Sequence, residues 1–308
     1  MMFTPSAFVA LALSAAVFAA PSPAPERTPG KRDTVTALSA SALSAFAPYT
    51  QFARAAYCDP ADIKGWTCGE ACKANAGFSP SITGGDGNSL QYYYVGYWPA
   101  KKTVVVAHQG TDPTQLESDL TDVNIDMATL DATLFPGVPS GVQTHEGFTN
   151  VQKQTASIIL KEVKSLMSAH GVNSVTLVGH SLGGAIAELD TLMFTLNLPS
   201  ATVKGVTYGT PRVGNPAFAN FFDSKVKDFT RIDNRDDLVP IVPGRFLGFE
   251  HPSGQVHIIS DGNAVSCSGQ ENESDQCTDG AVGNIFEGNV IDHLGPYEGI
   301  YIGTLFCT

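Results

Sequence analysis

Residues 175–185 read VTLVGHSLGGA. Val175-Thr176-Leu177-Val178 is a short apolar run with β-branched residues, the pattern of a fully buried strand. It leads straight into Gly179-His180-Ser181-Leu182-Gly183-Gly184, and from Ala185 onward the composition is strongly helical. G-x-S-x-G between a strand and a helix puts the serine on a sharp, strained turn with its hydroxyl presented outward. Residues two before and two after the serine must be small for the chains to pass, and Gly179 and Gly183 meet that demand. The helix behind the serine aims its N-terminal end at the place where negative charge would develop on an attacked carbonyl. The bare motif arises by chance. With its flanking strand and helix it marks Ser181 as a nucleophile rather than a surface serine in a glycine-rich turn.

Working outward, Thr103–Ala107 (TVVVA), Val203–Tyr208, Phe229–Ile232 and Val256–Ile259 read as further strands. Val151, Thr155, Ile159, Val163 and Leu166 recur at helical spacing, and Gly171 suits the residue that ends such a helix. Strands alternating with helices predict an α/β fold with a mostly parallel sheet in a single domain.

A serine hydroxyl is inert without a base. In this strand-turn-helix arrangement the chain order is nucleophile, acid, histidine. Of the seven histidines, His251, His257 and His293 follow the acid candidates. His257 sits inside the strand-like run QVHII. His251 follows the acid too closely for another strand to intervene. His293 lies in a late loop, Asp292-His293-Leu294-Gly295-Pro296, and is the chosen base. His180 is expected to point away from the nucleophile, into the protein. Among Asp233, Asp236 and Asp237, the last precedes Leu238-Val239-Pro240 and is the chosen acid. Asp233 and Asp236 are read as solvated loop charge or turn caps.

Asp112-Pro113-Thr114-Gln115 has the form of a helix start. Leu116, Leu120 and Val123 then fall on one apolar face. That suits either a lid over an apolar pocket or an ordinary surface helix.

The chain ends bound the rest. Phe8–Ala20 is an apolar run too short to span a bilayer, with small residues at Val17-Phe18-Ala19. Residues 1–19 are therefore expected to be a signal peptide. Residues 20–32 are expected to be a propeptide, Pro-rich and ending at the dibasic Lys31-Arg32. Residues 33–308 would form the mature domain, secreted and extracellular. The formal charge is −12, and losing Arg27, Lys31 and Arg32 along with Glu26 makes it −14. So acidic a protein is excluded as a nucleic-acid binder. No later segment is a transmembrane candidate. Six cysteines in a secreted chain suggest three disulfides, for which fifteen pairings exist. Cys68 with Cys72 and Cys267 with Cys277 are plausible local pairs, which leaves Cys58 and Cys307. No histidine clusters with them at metal-ligand spacing, so no metal is expected. Asn272-Glu273-Ser274 is a glycosylation sequon in a polar loop, expected to be exposed.

These residues resemble the class 3 lipase family of filamentous fungi, which includes feruloyl esterases, over about residues 38–306. VGHSLGGA at 178–185 resembles its elbow, and Thr207-Tyr208-Gly209-Thr210-Pro211-Arg212-Val213-Gly214-Asn215 its second signature. Asp237-Leu238-Val239-Pro240 and His293-Leu294 resemble its acid and histidine motifs. His145-Glu146-Gly147-Phe148 and His251-Pro252-Ser253-Gly254 resemble structural markers. The resemblance implies an α/β-hydrolase fold and a triad of Ser181, Asp237 and His293. It implies oxyanion donors at Thr111, through its N–H and hydroxyl, and at the N–H of Leu182. It implies the three cysteine pairings above, a lid over 112–123 and no cofactor. Gln109 stands where the family commonly has arginine, and the segment after Thr111 lacks the tryptophan of some family lids. The implied activity is acylglycerol ester hydrolysis at a lipid–water interface by a monomer. An aryl or plant-wall esterase such as a feruloyl esterase is the alternative, given the acidic lid. A non-catalytic binding protein on the same scaffold is the alternative of a different class.

Overall fold

The strand that precedes Ser181 and the strand at 103–108 lie side by side at the centre of a sheet that is nine-stranded among the described residues. The computed structural model describes residues 34–112 and 125–307. In chain order the strands are β1 (Val35–Ala37), β2 (Ser79–Gly84), β3 (Tyr93–Trp98), β4 (Thr103–His108), β5 (Met127–Thr129), β6 (Gln143–His145), β7 (Ser174–His180), β8 (Thr202–Tyr208), β9 (Phe229–Asn234), β10 (Gln255–Ser260) and β11 (Asn263–Cys267). The large sheet runs β1-β11-β10-β9-β8-β7-β4-β3-β2, and β5 pairs with β6. From β4 to β10 the pairings are parallel, while β2, β3, β11 and β1 are attached antiparallel.

The helices are α1 (Ala40–Ser44), α2 (Ala47–Ala55), α3 (Pro60–Gly65), α4 (Gly69–Ala74), α5 (Glu146–His170), α6 (Leu182–Asn197), α7 (Pro216–Lys225) and α8 (Thr278–Ala281). Helix α5 begins earlier than its apolar periodicity requires, because the His145 side chain accepts from the Phe148 N–H and caps it. It ends as expected, with Gly171 at φ 62°.

Strand alternation divides the core into two layers. Val104, Val106, Val175 and Leu177 pack with Ile159 and Val163 of α5 and Leu189 of α6. Val105, Ala107, Val178 and Val206 pack on the other face with Phe52 and Ala53 of α2. Both faces are covered, which is why these strands read as unbroken apolar runs. Each fully buried aliphatic side chain contributes about 1.5–3 kcal/mol. Bonds join Cys58 to Cys307, Cys68 to Cys72 and Cys267 to Cys277.

Two expectations are overturned. Asp233 is not solvated: it is fully buried and accepts from Arg231 Nη1 at 2.5 Å and from Gln255 Nε2 at 2.8 Å. Asp236 is exposed, as expected. Asn272 is only 2% exposed. Its Nδ2 donates to the carbonyls of Ser268 (3.0 Å) and Thr34 (3.4 Å), and its Oδ1 accepts from the Ser274 N–H. The asparagine side chain bonds its own polar loop, so a position that is polar in sequence is covered in space. Residues 1–33 and the lid residues Leu116, Leu120 and Val123 lie outside the described residues.

Candidate active site

Ser181 follows β7 directly and caps α6, with φ 59° and ψ −130°. Such backbone costs on the order of 1–3 kcal/mol and persists only where its surroundings over-determine it. Here the Ser181 N–H donates to the Tyr208 carbonyl at 2.9 Å, and the Ser181 carbonyl accepts from the N–H groups of Gly184 (2.9 Å) and Ala185 (3.1 Å). The elbow glycines have no room for a side chain. A Cβ on Gly179 would overlap the Gly183 carbonyl, and one on Gly183 would overlap the His108 carbonyl.

Asp237 leaves the loop after β9, and His293 sits in a single 3-10 turn, Asp292–Leu294. His293 Nδ1 donates to Asp237 Oδ2 at 2.8 Å, while Asp237 Oδ1 accepts from the Val239 N–H at 2.9 Å. Both side chains are buried. A carboxylate on Nδ1 fixes the proton there and leaves Nε2 as the basic nitrogen. Among the described residues His293 Nε2 has no hydrogen-bond partner. Serine–histidine bonds in such sites are often long until substrate arrives.

Ser181 and His293 are tied through His180. Its Nε2 donates to the His293 carbonyl at 2.7 Å. A carbonyl only accepts, so Nε2 carries the proton. Burial holds the His180 pKa well below the usual histidine value, with the nearby His293 adding to the effect. The ring is therefore neutral and its Nδ1 accepts from the Tyr57 hydroxyl at 2.6 Å. That hydroxyl also lies against Gly110, where an added Cβ would overlap it. His180 thus points into the protein, as expected, and links three loops of the site. Tyr57 carries no motif in the sequence and is found only in three dimensions.

The other histidines are engaged elsewhere. Both ring nitrogens of His257 meet backbone carbonyls, Gln276 at 2.7 Å and Arg235 at 2.8 Å. His251 Nε2 donates to the Pro240 carbonyl at 2.8 Å. Arg212, from the second signature, reaches the next carbonyls of the same loop, at Ile241 and Pro243, and forms a two-pronged pair with Glu271 at 3.0 and 2.9 Å. These two residues fix the chain just past Asp237, a structural role the sequence motifs conceal.

Thr111, at the end of the loop after β4, and Leu182, first in α6, are both partly exposed. Gly110 lies against Ser181, since a Cβ there would come within 2.8 Å of Ser181 Cβ. Gln109 exchanges two bonds with Tyr92: its N–H donates to the Tyr92 carbonyl and its Oε1 accepts from the Tyr92 N–H, each at 2.8 Å. Among the described residues no cluster of His, Cys, Asp and Glu could hold a metal ion, and no helix is long and apolar enough to cross a membrane.

The sequence matches the model of Lipase (class 3) over residues 105–247. A secreted mono- and diacylglycerol lipase of Malassezia globosa is 37% identical over 224 residues, covering 72% of each chain. A second from the same organism is 34% identical over 227 residues, again covering 72% of each. Among solved structures, lipase II from Rhizopus niveus superposes with a TM-score of 0.77 at 27% identity, covering 89% of this chain and all of that one. A lipase from Rhizopus microsporus var. chinensis gives 0.77 at 26% identity, over 94% and 96% of the two chains. Elbow, sheet order and relatives agree, and the chain belongs to the class 3 lipase family of fungi.

Proposed function

We propose that this protein is a secreted lipase that hydrolyses acylglycerols through an acyl-enzyme on Ser181. Ser181 attacks the ester carbonyl and His293 Nε2 takes its proton. Asp237 holds the imidazole and stabilises the imidazolium. The N–H groups of Thr111 and Leu182, with the Thr111 hydroxyl, receive the oxyanion. His293 then protonates the leaving alcohol, and water releases the acid by the same route. The 2.8 Å contact between His293 and Asp237 beside a strained Ser181 carries the reading.

The loops that carry Asp237 and His293, rather than the triad itself, offer apolar surface for an acyl chain. An open groove of about 600 Å³ is lined by Ile125, Ile241, Val242, Phe246, Leu247 and Ile285. Its walls are the loops that follow Asp237 and precede His293. On these loops Phe246 and Phe286 are 90% and 92% exposed, an apolar rim suited to a lipid–water interface. The Malassezia relatives, named mono- and diacylglycerol lipases, extend the proposal to partial glycerides. Their naming as secreted enzymes supports export, with 1–19 as signal peptide and 20–32 as propeptide. Strand β1 begins at Val35 and pairs with β11, so a chain starting at Asp33 keeps that pairing.

Purified protein should be labelled by a fluorophosphonate at Ser181 and should hydrolyse tributyrin and monoolein, diolein or triolein emulsions. Labelling without turnover of any acylglycerol, together with fast cleavage of methyl ferulate, would replace the lipase reading by an aryl esterase. Absence of labelling would leave a non-catalytic scaffold.

A further inference from the structure

We infer that His108 and Asp190 form a buried positioning pair that sets the oxyanion loop against the nucleophile, a role resting on the placement of the oxyanion donors at Thr111 and Leu182. His108 is the last residue of β4 and stands three residues before Thr111. Its Nε2 donates to Asp190 Oδ2 at 2.9 Å, with side-chain exposures of 2% and 1%. Asp190 belongs to α6, the helix that Ser181 caps. Its second oxygen, Oδ1, accepts from Gln152 Nε2 of α5 at 2.8 Å. One carboxylate therefore joins the oxyanion strand, the elbow helix and the helix between them in sequence.

The pair is a second buried His–Asp contact besides His293–Asp237, yet it is not a second catalytic dyad. The Asp190 carboxylate lies on α6 in the middle of the apolar layer, flanked by Leu189 and Thr191, both fully buried. Apolar side chains would fill such a place at lower desolvation cost, and buried ion pairs are poor stabilisers compared with apolar replacements of similar size. What the pair adds is direction. An apolar contact allows β4 to slide along α6 by fractions of an ångström, while a charge-assisted hydrogen bond fixes both distance and orientation.

The backbone shows where that precision is delivered. A Cβ on Gly183 would overlap the His108 carbonyl and come within 2.6 Å of the Gln109 carbonyl, so the strand end rests directly on the first turn of α6. Each of the three residues before Thr111 is then held by a contact of its own: His108 by the Asp190 carboxylate, Gln109 by Tyr92, and Gly110 by the close approach of Tyr57. Misplacing an oxyanion donor by about 1 Å costs on the order of 100-fold in rate. A pair that holds the loop should act on the transition state and leave ground-state binding unchanged.

The test compares His108→Phe, Asp190→Leu, the double variant and Asp190→Asn on a soluble nitrophenyl butyrate. Each is also titrated with butylboronic acid, a tetrahedral mimic. The two single variants strand one buried polar partner and lower stability, and they serve only to show the coupling. The double variant is apolar at both positions and leaves Gln152 Nε2 only its contact with Met193 Sδ at 3.4 Å, so it recovers most of the melting temperature lost in the single variants. Its kcat falls roughly 10- to 100-fold with KM within about twofold, and boronate affinity falls in parallel with kcat/KM. Asp190→Asn keeps an oxygen for His108, and Gln152, whose Oε1 is unpartnered, can turn its amide to meet the new N–H. That variant therefore restores most of kcat. A folded double variant with wild-type kcat and boronate affinity would overturn the positioning role and leave only a packing contact. Wild-type protein that hydrolyses the ester but gains no affinity for boronate over butyramide would instead overturn the oxyanion assignment itself.

Discussion

His180, the residue next to Ser181, hydrogen-bonds the backbone of His293, the proposed base: Nε2 meets the His293 carbonyl at 2.7 Å, and the two rings lie 4.3 Å apart. The second residue of G-H-S-L-G is thus a strut, held from behind by Tyr57. Tyr57→Phe leaves the His180 Nδ1 acceptor buried without its donor, at a cost of about 1–3 kcal/mol. Thermal unfolding should shift down accordingly. The kcat on a soluble ester should fall as well, because the His180 ring that holds the His293 backbone loses the bond that orients it. Unchanged kcat in a destabilised Tyr57→Phe protein would confine the strut to stability.

Ser181→Ala, His293→Ala and Asp237→Asn should each lower kcat by roughly 10⁴-fold, because the three act as a unit. Ser181→Ala should retain the wild-type melting temperature and far-ultraviolet circular dichroism. Activity that survives His293→Ala but is lost in His257→Ala would refute the choice of base. The structure argues against that result, since both nitrogens of His257 are engaged by carbonyls.

Sequence reading reached the parts of this molecule whose signal is local. The elbow is legible because a strained serine needs glycines at fixed offsets, and the central strands because burial on both faces leaves unbroken apolar runs. The antiparallel edges were not legible. β2 (SPSITG) carries Pro80 and has no fully buried residue, and β1 is three residues long and depends on β11, a partner at the far end of the sequence. The roles of Tyr57, Arg212 and Asp190 are not written locally either, although Arg212 stands in a motif: each acts through a contact with a residue far along the chain. Asp233 and Asn272 are buried although polar in sequence, because polarity says nothing about whether a partner covers the group.

Thr111→Val keeps the backbone donor and the side-chain shape while removing the hydroxyl. If that hydroxyl binds the oxyanion, about 3–4 kcal/mol of transition-state stabilisation is lost, read as a fall of two to three decades in kcat. KM should move little. A near-normal kcat would assign the oxyanion to the two backbone N–H groups alone.

Glu188 supplies the last prediction. It lies on α6, fully buried, and neither carboxylate oxygen has a hydrogen-bond partner among the described residues. Burial pushes its pKa up to about 8, against the opposing attraction of Arg231, with Asp223 adding slightly to the rise. In the folded protein the group is therefore protonated at neutral pH, while in the unfolded chain it ionises near the ordinary glutamate value of about 4.3. Below that value both states hold the proton and Glu188 costs nothing through ionisation. As pH rises from there to about 8, the unfolded state releases a proton that the folded state keeps. Stability then falls by roughly 1 kcal/mol per pH unit, and it levels off once the folded carboxyl also ionises. Glu188→Gln has nearly the same shape and cannot ionise, so it removes this slope. The variant should match the wild type in melting temperature near pH 4 and exceed it increasingly toward pH 8. Chemical denaturation at pH 4.5, 6 and 7.5 would measure the divergence directly. Parallel wild-type and variant curves across that range would mean that Arg231 keeps Glu188 ionised inside the fold. Replacement by glutamine would then remove one counter-charge from Arg231, which keeps its pair with Asp233, and cost the same at every pH.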